Sequence, residues 1–282
     1  MTDLILGAAL IALLSVGFGV ASARIAARLS SKAMNLYLVA LIVATIAFCV
    51  VLRGRLPMAR LLPWSNVIVV GEWVPIGIGG LIGGVLVKGG IPRWRRLLLA
   101  FGLATLGIYA LTQPFLDSPP RSMDRWSKEG VCLQSSAASC SACAAATLLR
   151  SAGIESSETE MIPLCLTGTT GTPTLGMYRG LKLKTRHTPW SVSVFSANVD
   201  QLFEQDCWPV LLPVVLPRGA KVDPRYQQEW GWTPGLGHVV VVYGRVGNDR
   251  IDVGDPSIGR EHWTVEDLRV LWPGYGMRLV RR

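Results

Sequence analysis

The chain has 282 residues, is 50% hydrophobic, and carries a mean hydropathy of +0.38 and a formal net charge of +9. It is too apolar for an ordinary soluble domain and long enough for two parts. Residues 1–117 hold ten Lys/Arg against three Asp/Glu, and residues 118–282 hold eighteen against sixteen. The basic excess therefore lies between apolar runs and not on one folded surface, which excludes the charge footprint of a nucleic-acid-binding domain.

Four apolar runs reach or approach membrane-spanning length, about residues 4–23, 34–52, 67–87 and 97–116. Residues 1–116 are thus predicted to be a transmembrane region with four spans. The first run has Arg24 and Arg28 after it and no Lys or Arg before it. A cleavable signal has the reverse charge order, so the run reads as an uncleaved span. In the third run Glu72 and Pro75 come early, followed by Gly79, Gly80, Gly83 and Gly84, small residues that permit close helix contact. Glu72 reads either as an intramembrane acid or, more simply, as an interfacial residue. A start at Trp73 would shorten the segment. Arg24, Arg28, Lys32, Lys88, Arg93, Arg95 and Arg96 fall on one side of the bilayer, and Arg53, Arg55 and Arg60 on the other with both termini. Seven against three places both termini outside the cytoplasm.

Residues 117–127, with Pro119-Pro120, read as a linker. Residues 128–282 give helix signals first and strand signals afterward, an α+β order. Ser139 is placed to cap a helix that runs through Ala144, Leu148 and Leu149 and stops at Gly153. Cys140 then sits in the first turn, where the helix dipole favours thiolate. Gln134, six residues upstream, can bring a carboxamide donor back toward that sulfur. His238 lies in the strand-like run Gly237–Gly244, and Asp255 precedes Pro256. A Cys, a His, an Asp and an amide donor form a complete set for nucleophilic acyl transfer. Further helices are predicted after Ser157, Thr172, Ser196 and Thr264. Strands are predicted around 192–194, 210–216, 239–243, 250–253 and 277–280. Pro209, Pro213 and Pro217 push the 210–216 strand toward a sheet edge or a bulge. The long stretch 217–236, with Tyr226, Trp230 and Trp232, reads either as a flap over a cleft or as an excursion packing its own aromatics.

The order Cys140, His238, Asp255, with Gln134 ahead of the cysteine, resembles papain-like cysteine peptidases. The segments 134–154, Gly171-Thr172, 237–244 and Asp255-Pro256 followed by Trp263 resemble the bacteriocin-processing, double-glycine leader peptidases and their stand-alone relatives. The resemblance spans about residues 130–275. It departs at Ser141-Ala142, where that branch usually has Gly-Pro. The resemblance implies a papain-like two-lobe fold with its cleft between the Cys140 helix and the sheet carrying His238. It also implies a membrane-anchored cysteine endopeptidase of a bacterial plasma membrane. In that reading Cys140 attacks, His238 moves the proton, Asp255 orients the imidazole, and Gln134 stabilises the oxyanion. The implied substrate is a peptide cut after a Gly-Gly-like pair, with a separate transporter as a possible partner. No Gly-x4-Gly-Lys-Ser/Thr loop for ATP is present.

Two other classes remain open at this stage: a thiol hydrolase of cell-wall peptide or another amide, and a non-catalytic domain that binds leader peptides. Cys143 competes with Cys140 as nucleophile, but its spacing to Gln134 does not fit. His187 and His262 have no Cys or carboxylate at metal-ligand spacing, so neither a metal nor a cofactor is expected. If the domain lies outside the cytoplasm, disulfides are expected among Cys132, Cys143, Cys165 and Cys207, with Cys143–Cys165 first choice and Cys132–Cys207 following.

Overall fold

The structure, a computed structural model, describes residues 1–219 and 223–282. The chain forms two compact units, Met1–Leu116 and Asp117–Arg282.

The first unit contains α1 (Thr2–Ala26), α2 (Ser31–Val51), the short α3 (Pro57–Leu61) and α4 (Val67–Val70), α5 (Val74–Val87) and α6 (Arg93–Thr112). Four stretches are long and apolar enough to cross a membrane: Thr2–Ala26, Ser31–Val51, Val67–Val87 and Arg93–Phe115. The fourth helix starts at Arg93, ahead of the apolar run, because arginine is itself a good helix former. Leu13, Leu36 and Phe101 are among many apolar side chains left exposed on α1, α2 and α6. The third stretch breaks between α4 and α5, so α5 begins beside the alternative start at Trp73. Its glycines lie buried, and a Cβ at Gly79 or Gly83 would run into the backbone carbonyl of Ser15 or Gly19. The backbones of α1 and α5 therefore touch, as small residues allow. Hydroxyls cross the same seam: Ser15 Oγ donates to Pro75 O at 2.5 Å and Ser22 Oγ to Gly80 O at 2.6 Å. Glu72 accepts from Arg53 Nε at 2.8 Å, a pairing in keeping with the simpler, interfacial reading of this acid.

The second unit opens with a two-strand ribbon, β1 (Arg125–Trp126) and β2 (Cys132–Leu133). Three helices follow: α7 (Cys140–Ser151), α8 (Glu158–Leu164) and α9 (Thr174–Lys184). Then come β3 (Trp190–Ser196), α10 (Val199–Gln205), β4 (Val210–Val215), α11 (Arg225–Gln228), β5 (Gly237–Val246), β6 (Arg250–Asp255), β7 (Gly259–Thr264), α12 (Val265–Leu271) and β8 (Tyr275–Arg281). The last six strands form one antiparallel sheet, ordered β3-β8-β4-β5-β6-β7. This is the α+β order expected from the sequence.

Two expectations are corrected. Residues 117–127 belong to the second unit and are not a free linker. Asp117 accepts from Thr169 Oγ1 at 2.7 Å, Asp124 accepts from the Thr159 N–H at 2.7 Å, and Trp126 pairs with Cys132. Three Pro and Ser residues in a row suggested a tether, but short polar side chains there cap the ends of other segments. The second correction concerns β4, which lies inside the sheet, between β8 and β5. Its prolines are tolerated because β8 pairs with it only at Val210 and Leu211. From Leu212 onward only β5 is aligned, so Pro213 sits where one flank is already open.

The helix α7 is buried on nearly every side, with Ala142, Cys143, Ala144, Ala145 and Ala146 all at 0% exposure. A run of small side chains lets β2, α8, α9 and the sheet approach it from several directions. Behind the sheet a second apolar cluster joins Val240, Val242, Ile251 and Val253 to Tyr226, Trp232, Trp263, Leu268 and Trp272. Much of the 217–236 stretch thus packs its own aromatics: Tyr226 and Trp232 are buried with ring centroids 5.3 Å apart. Residues 220–222 of the expected flap lie outside the described residues.

Candidate active site

A cleft of about 410 Å³ opens between the start of α7 and the sheet. Cys140 and Ser141 line one wall, Thr170–Thr172 and Met177 extend it, and Pro213–Val215 with Gly237–Val239 form the other. The open flank of β4 described above is part of that second wall.

Cys140 is the first residue of α7, and Ser139 is its N-cap as expected. The Ser139 hydroxyl does not bond back into the helix. It donates to Ser136 O at 3.0 Å and accepts from the Ser136 N–H at 3.2 Å, which closes the preceding loop. The first-turn amides are thereby left without a side-chain partner, at the place where a thiolate needs them. His238 stands at the beginning of β5 and Asp255 at the end of the adjacent β6. Their side chains meet at 2.7 Å between His238 Nε2 and Asp255 Oδ1, and Asp255 is fully buried. With Nε2 engaged, Nδ1 is the ring nitrogen left to face the thiol, and the two side chains interact electrostatically.

The electrostatics follow from this line of three groups. Burial alone would raise the Cys140 thiol. The His238 charge chiefly outweighs it and lowers the thiol below its ordinary value. Burial alone would likewise lower His238, but Asp255 and then Cys140 hold it up at about 10. Both shifts favour a thiolate–imidazolium pair over the neutral pair.

Cys143, one turn further into α7, has 0% exposure and does not reach the cleft. Its hydrogen bond with Cys132, together with burial, pushes its thiol far up. Cys143 therefore keeps its proton. All six cysteines are free, and the expected pairing is corrected. Cys143 faces Cys132, Cys165 packs against Gly180, and Cys207 lies on the surface. The reason is helix phase: the face of α7 that carries Cys143 also carries Thr147, whose Oγ1 accepts from the Cys132 N–H at 2.9 Å. That face looks at β2.

Gln134 is held by its backbone: its N–H donates to Pro256 O at 2.8 Å, and its carbonyl accepts from Arg125 Nη2 at 3.2 Å. Its Oε1 is buried with no partner, and the residue does not line the cleft. The structure thus brings Cys140, His238 and Asp255 together, and fixes Gln134 beside Pro256 without a side-chain bond to the other three. Among the described residues no group of three or more His, Cys, Asp or Glu could hold a metal ion.

No family model matches the chain, and no curated protein matches it. Solved structures do. One is the peptidase domain of Streptococcus ComA, a bi-functional ABC transporter involved in quorum sensing, at 20% identity and TM-score 0.43. It covers 55% of this chain and 99% of that one. A second is a double glycine motif protease from an AMS/PCAT transporter in complex with its leader peptide, at 14% identity and TM-score 0.42, covering 59% and 99%. A third is the peptidase domain of Streptococcus mutans ComA, at 19% identity and TM-score 0.36, covering 54% and 98%. These solved structures are peptidase domains.

Three further residues stand around the site, of which the sequence singles out only Trp232, within the 217–236 stretch. The ring of Trp232 lies over His238, centroids 4.5 Å apart, and shields the His238–Asp255 bond from water. Ser257 donates its N–H to Asp255 Oδ1 at 2.7 Å, and its Oγ lies 3.5 Å from His238 Nε2. A Ser two residues after an Asp is a weak turn signal that could have been read. Glu261 accepts from Trp263 Nε1 at 2.5 Å, while its other oxygen is buried without a partner. Burial, and after it the Asp255 charge, push Glu261 up to about 8.

The linkage of Glu261 has a definite sign. An unfolded glutamate titrates near ~4.3. Between there and about 8 the folded chain holds a proton that the unfolded chain has lost, so stability falls as pH rises through that window. Glu261→Gln keeps the acceptor for Trp263 and removes the slope. Its melting temperature should exceed that of the parent by a margin that grows from pH 5 to pH 8. A margin independent of pH would refute the assignment.

Proposed function

We propose that the chain is a membrane-anchored cysteine endopeptidase. The observation that carries this reading is His238, set between a buried Asp255 and Cys140 at the edge of an open cleft. Cys140 attacks the peptide carbonyl as a thiolate. His238 holds the thiol proton and delivers it to the leaving amine. Asp255, itself fixed by Ser257, orients the imidazole and favours its charged form. The N–H of Cys140 and the carboxamide of Gln134 stabilise the tetrahedral oxyanion. The motif resemblance around Gln134–Ile154 supports a leader peptide cut after a small-residue pair as the substrate. The apolar, lipid-compatible faces of α1, α2 and α6 support an integral membrane anchor.

The test is cleavage of a labelled peptide carrying an internal Gly-Gly pair by the full chain in detergent, with products identified by mass. Cleavage after the pair supports the reading. An intact peptide, together with Cys140 alkylated by iodoacetamide no faster than a free thiol, would favour a peptide-binding domain. Cleavage of peptidoglycan fragments alone would favour the cell-wall amide reading.

The distribution of Lys and Arg supports an extracytoplasmic second unit. A reporter active only in the cytoplasm, fused after Arg282, should stay silent. Strong signal would mean that Arg53, Arg55 and Arg60 set the topology.

A further inference from the structure

Glu158 is a buried carboxylate that the catalytic scheme above does not use. It is the first residue of α8 and has 0% exposure. The cost of burying it is offset by donors converging from two segments, the loop before α7 and the stretch ahead of β1. Its Oε1 accepts from the Ser135 N–H at 2.8 Å. Its Oε2 accepts from Ser135 Oγ at 2.5 Å and from the Met123 N–H at 3.3 Å. Burial pushes the carboxyl up, but the hydrogen bonds, those of Ser135 foremost, prevail and keep it below its ordinary value. Its position at the N-terminal turn of α8 favours the charge further.

Two serines have telling neighbours. Ser135 follows Gln134, and Ser139 precedes Cys140. The carboxylate thus grips the loop between the amide donor and the nucleophile at its Gln134 end, through Ser135, while at the Cys140 end the Ser139 hydroxyl closes on Ser136 O. Within that loop Ser139 and Ser136 close on each other, and Ala138 N–H donates to Ser136 Oγ at 3.2 Å. The loop is a small hydrogen-bonded ring pinned from below by one charge. Losing that charge would replace the Oε2 acceptor of the Ser135 hydroxyl with a neutral NH2 donor, and the Ser135 end of the loop would shift to restore its bonds.

We propose that Glu158 is a positioning residue that sets the distance between Gln134 and Cys140, and thereby the oxyanion site, without touching substrate. The proposal rests on the peptidase reading. It predicts a split between two reactions of the same sulfur. Alkylation by iodoacetamide needs the thiolate and no oxyanion site, whereas peptide cleavage needs both.

The experiment uses the full chain in detergent, an internally quenched peptide with a Gly-Gly pair, and iodoacetamide. Glu158→Gln should lower kcat for cleavage by about 10²-fold, the scale of an ångström of misplacement, with KM little changed. The rate and pH profile of Cys140 alkylation should stay as in the parent. Ser135→Ala, a milder change, should show the same split with a smaller loss and guards against misfolding of Glu158→Gln. In a Gln134→Ala background, Glu158→Gln should cost little more, because the group it positions is gone. Equal losses in alkylation and cleavage would mean a general structural role, and full additivity with Gln134→Ala would separate Glu158 from the oxyanion site. Either result overturns the proposal. Slow alkylation in the parent would instead strike at the peptidase reading itself.

Discussion

Cys140→Ala and His238→Ala should each reduce cleavage by on the order of 10⁴- to 10⁶-fold, the range found when a nucleophile or its base is removed. Both side chains stand at the cleft and act on the same proton. Removing either therefore costs nearly as much as removing both. Neither change should unfold the domain, since each side chain lies at the cleft wall and not in the core behind it. Cys143→Ala is the informative control. Its thiol is protonated and shut away from the cleft, so turnover should persist while stability drops modestly. Loss of turnover in Cys143→Ala with retention in Cys140→Ala would reverse the assignment and place the helix start one turn later.

The second large effect concerns pH. The reactive state needs the thiol deprotonated and the imidazole charged. Its population rises with pH through the lowered Cys140 value and falls again near 10, where His238 gives up its proton. A plot of kcat/KM against pH should be a broad bell whose alkaline limb lies near 10. Asp255→Asn removes the charge that holds His238 up. The alkaline limb should then move down toward the ordinary histidine value of ~6.5, and the bell should narrow. The rate at its maximum should fall by about 10²-fold, less than for Cys140→Ala, because Trp232 and Ser257 still help to hold the ring. An alkaline limb that stays in place would show that something other than Asp255 sets the imidazole.

The meeting of the three candidate residues was largely legible in the chain because its parts are local. A thiol in a helix's first turn, a His opening a strand, and an Asp before a Pro are each short patterns. Topology then carried His238 and Asp255 together, since β5 and β6 are neighbours in the sheet. What the chain concealed depends on distant packing. Trp232 and Trp263 are ordinary aromatics until folding sets their rings 5.7 Å apart behind His238. Glu158 carries no signal of its own in the sequence, and its burial arises only where α8 meets the loop after Gln134. The misjudged disulfide had a similar cause. Sequence order put Cys165 on the helix after Cys143, but the phase of α7 turned Cys143 toward β2. The place of β4 was misread because a proline rule speaks of hydrogen bonds on both flanks, and at Pro213 one flank has no neighbour.

The glycine seam between α1 and α5 bears on how the chain is made. Gly79 and Gly83 offer lipid no side chain, and their backbone rests against Ser15 and Gly19. A segment of this kind covers its bare backbone only when α1 lies beside it. During synthesis α1 would have to wait in the bilayer while α2 and the short α3 and α4 emerge. The proposed anchor is then an ordered assembly and not four interchangeable hydrophobic plugs. A chain begun at Met34 would retain every residue of the second unit and still lack the surface that receives α5.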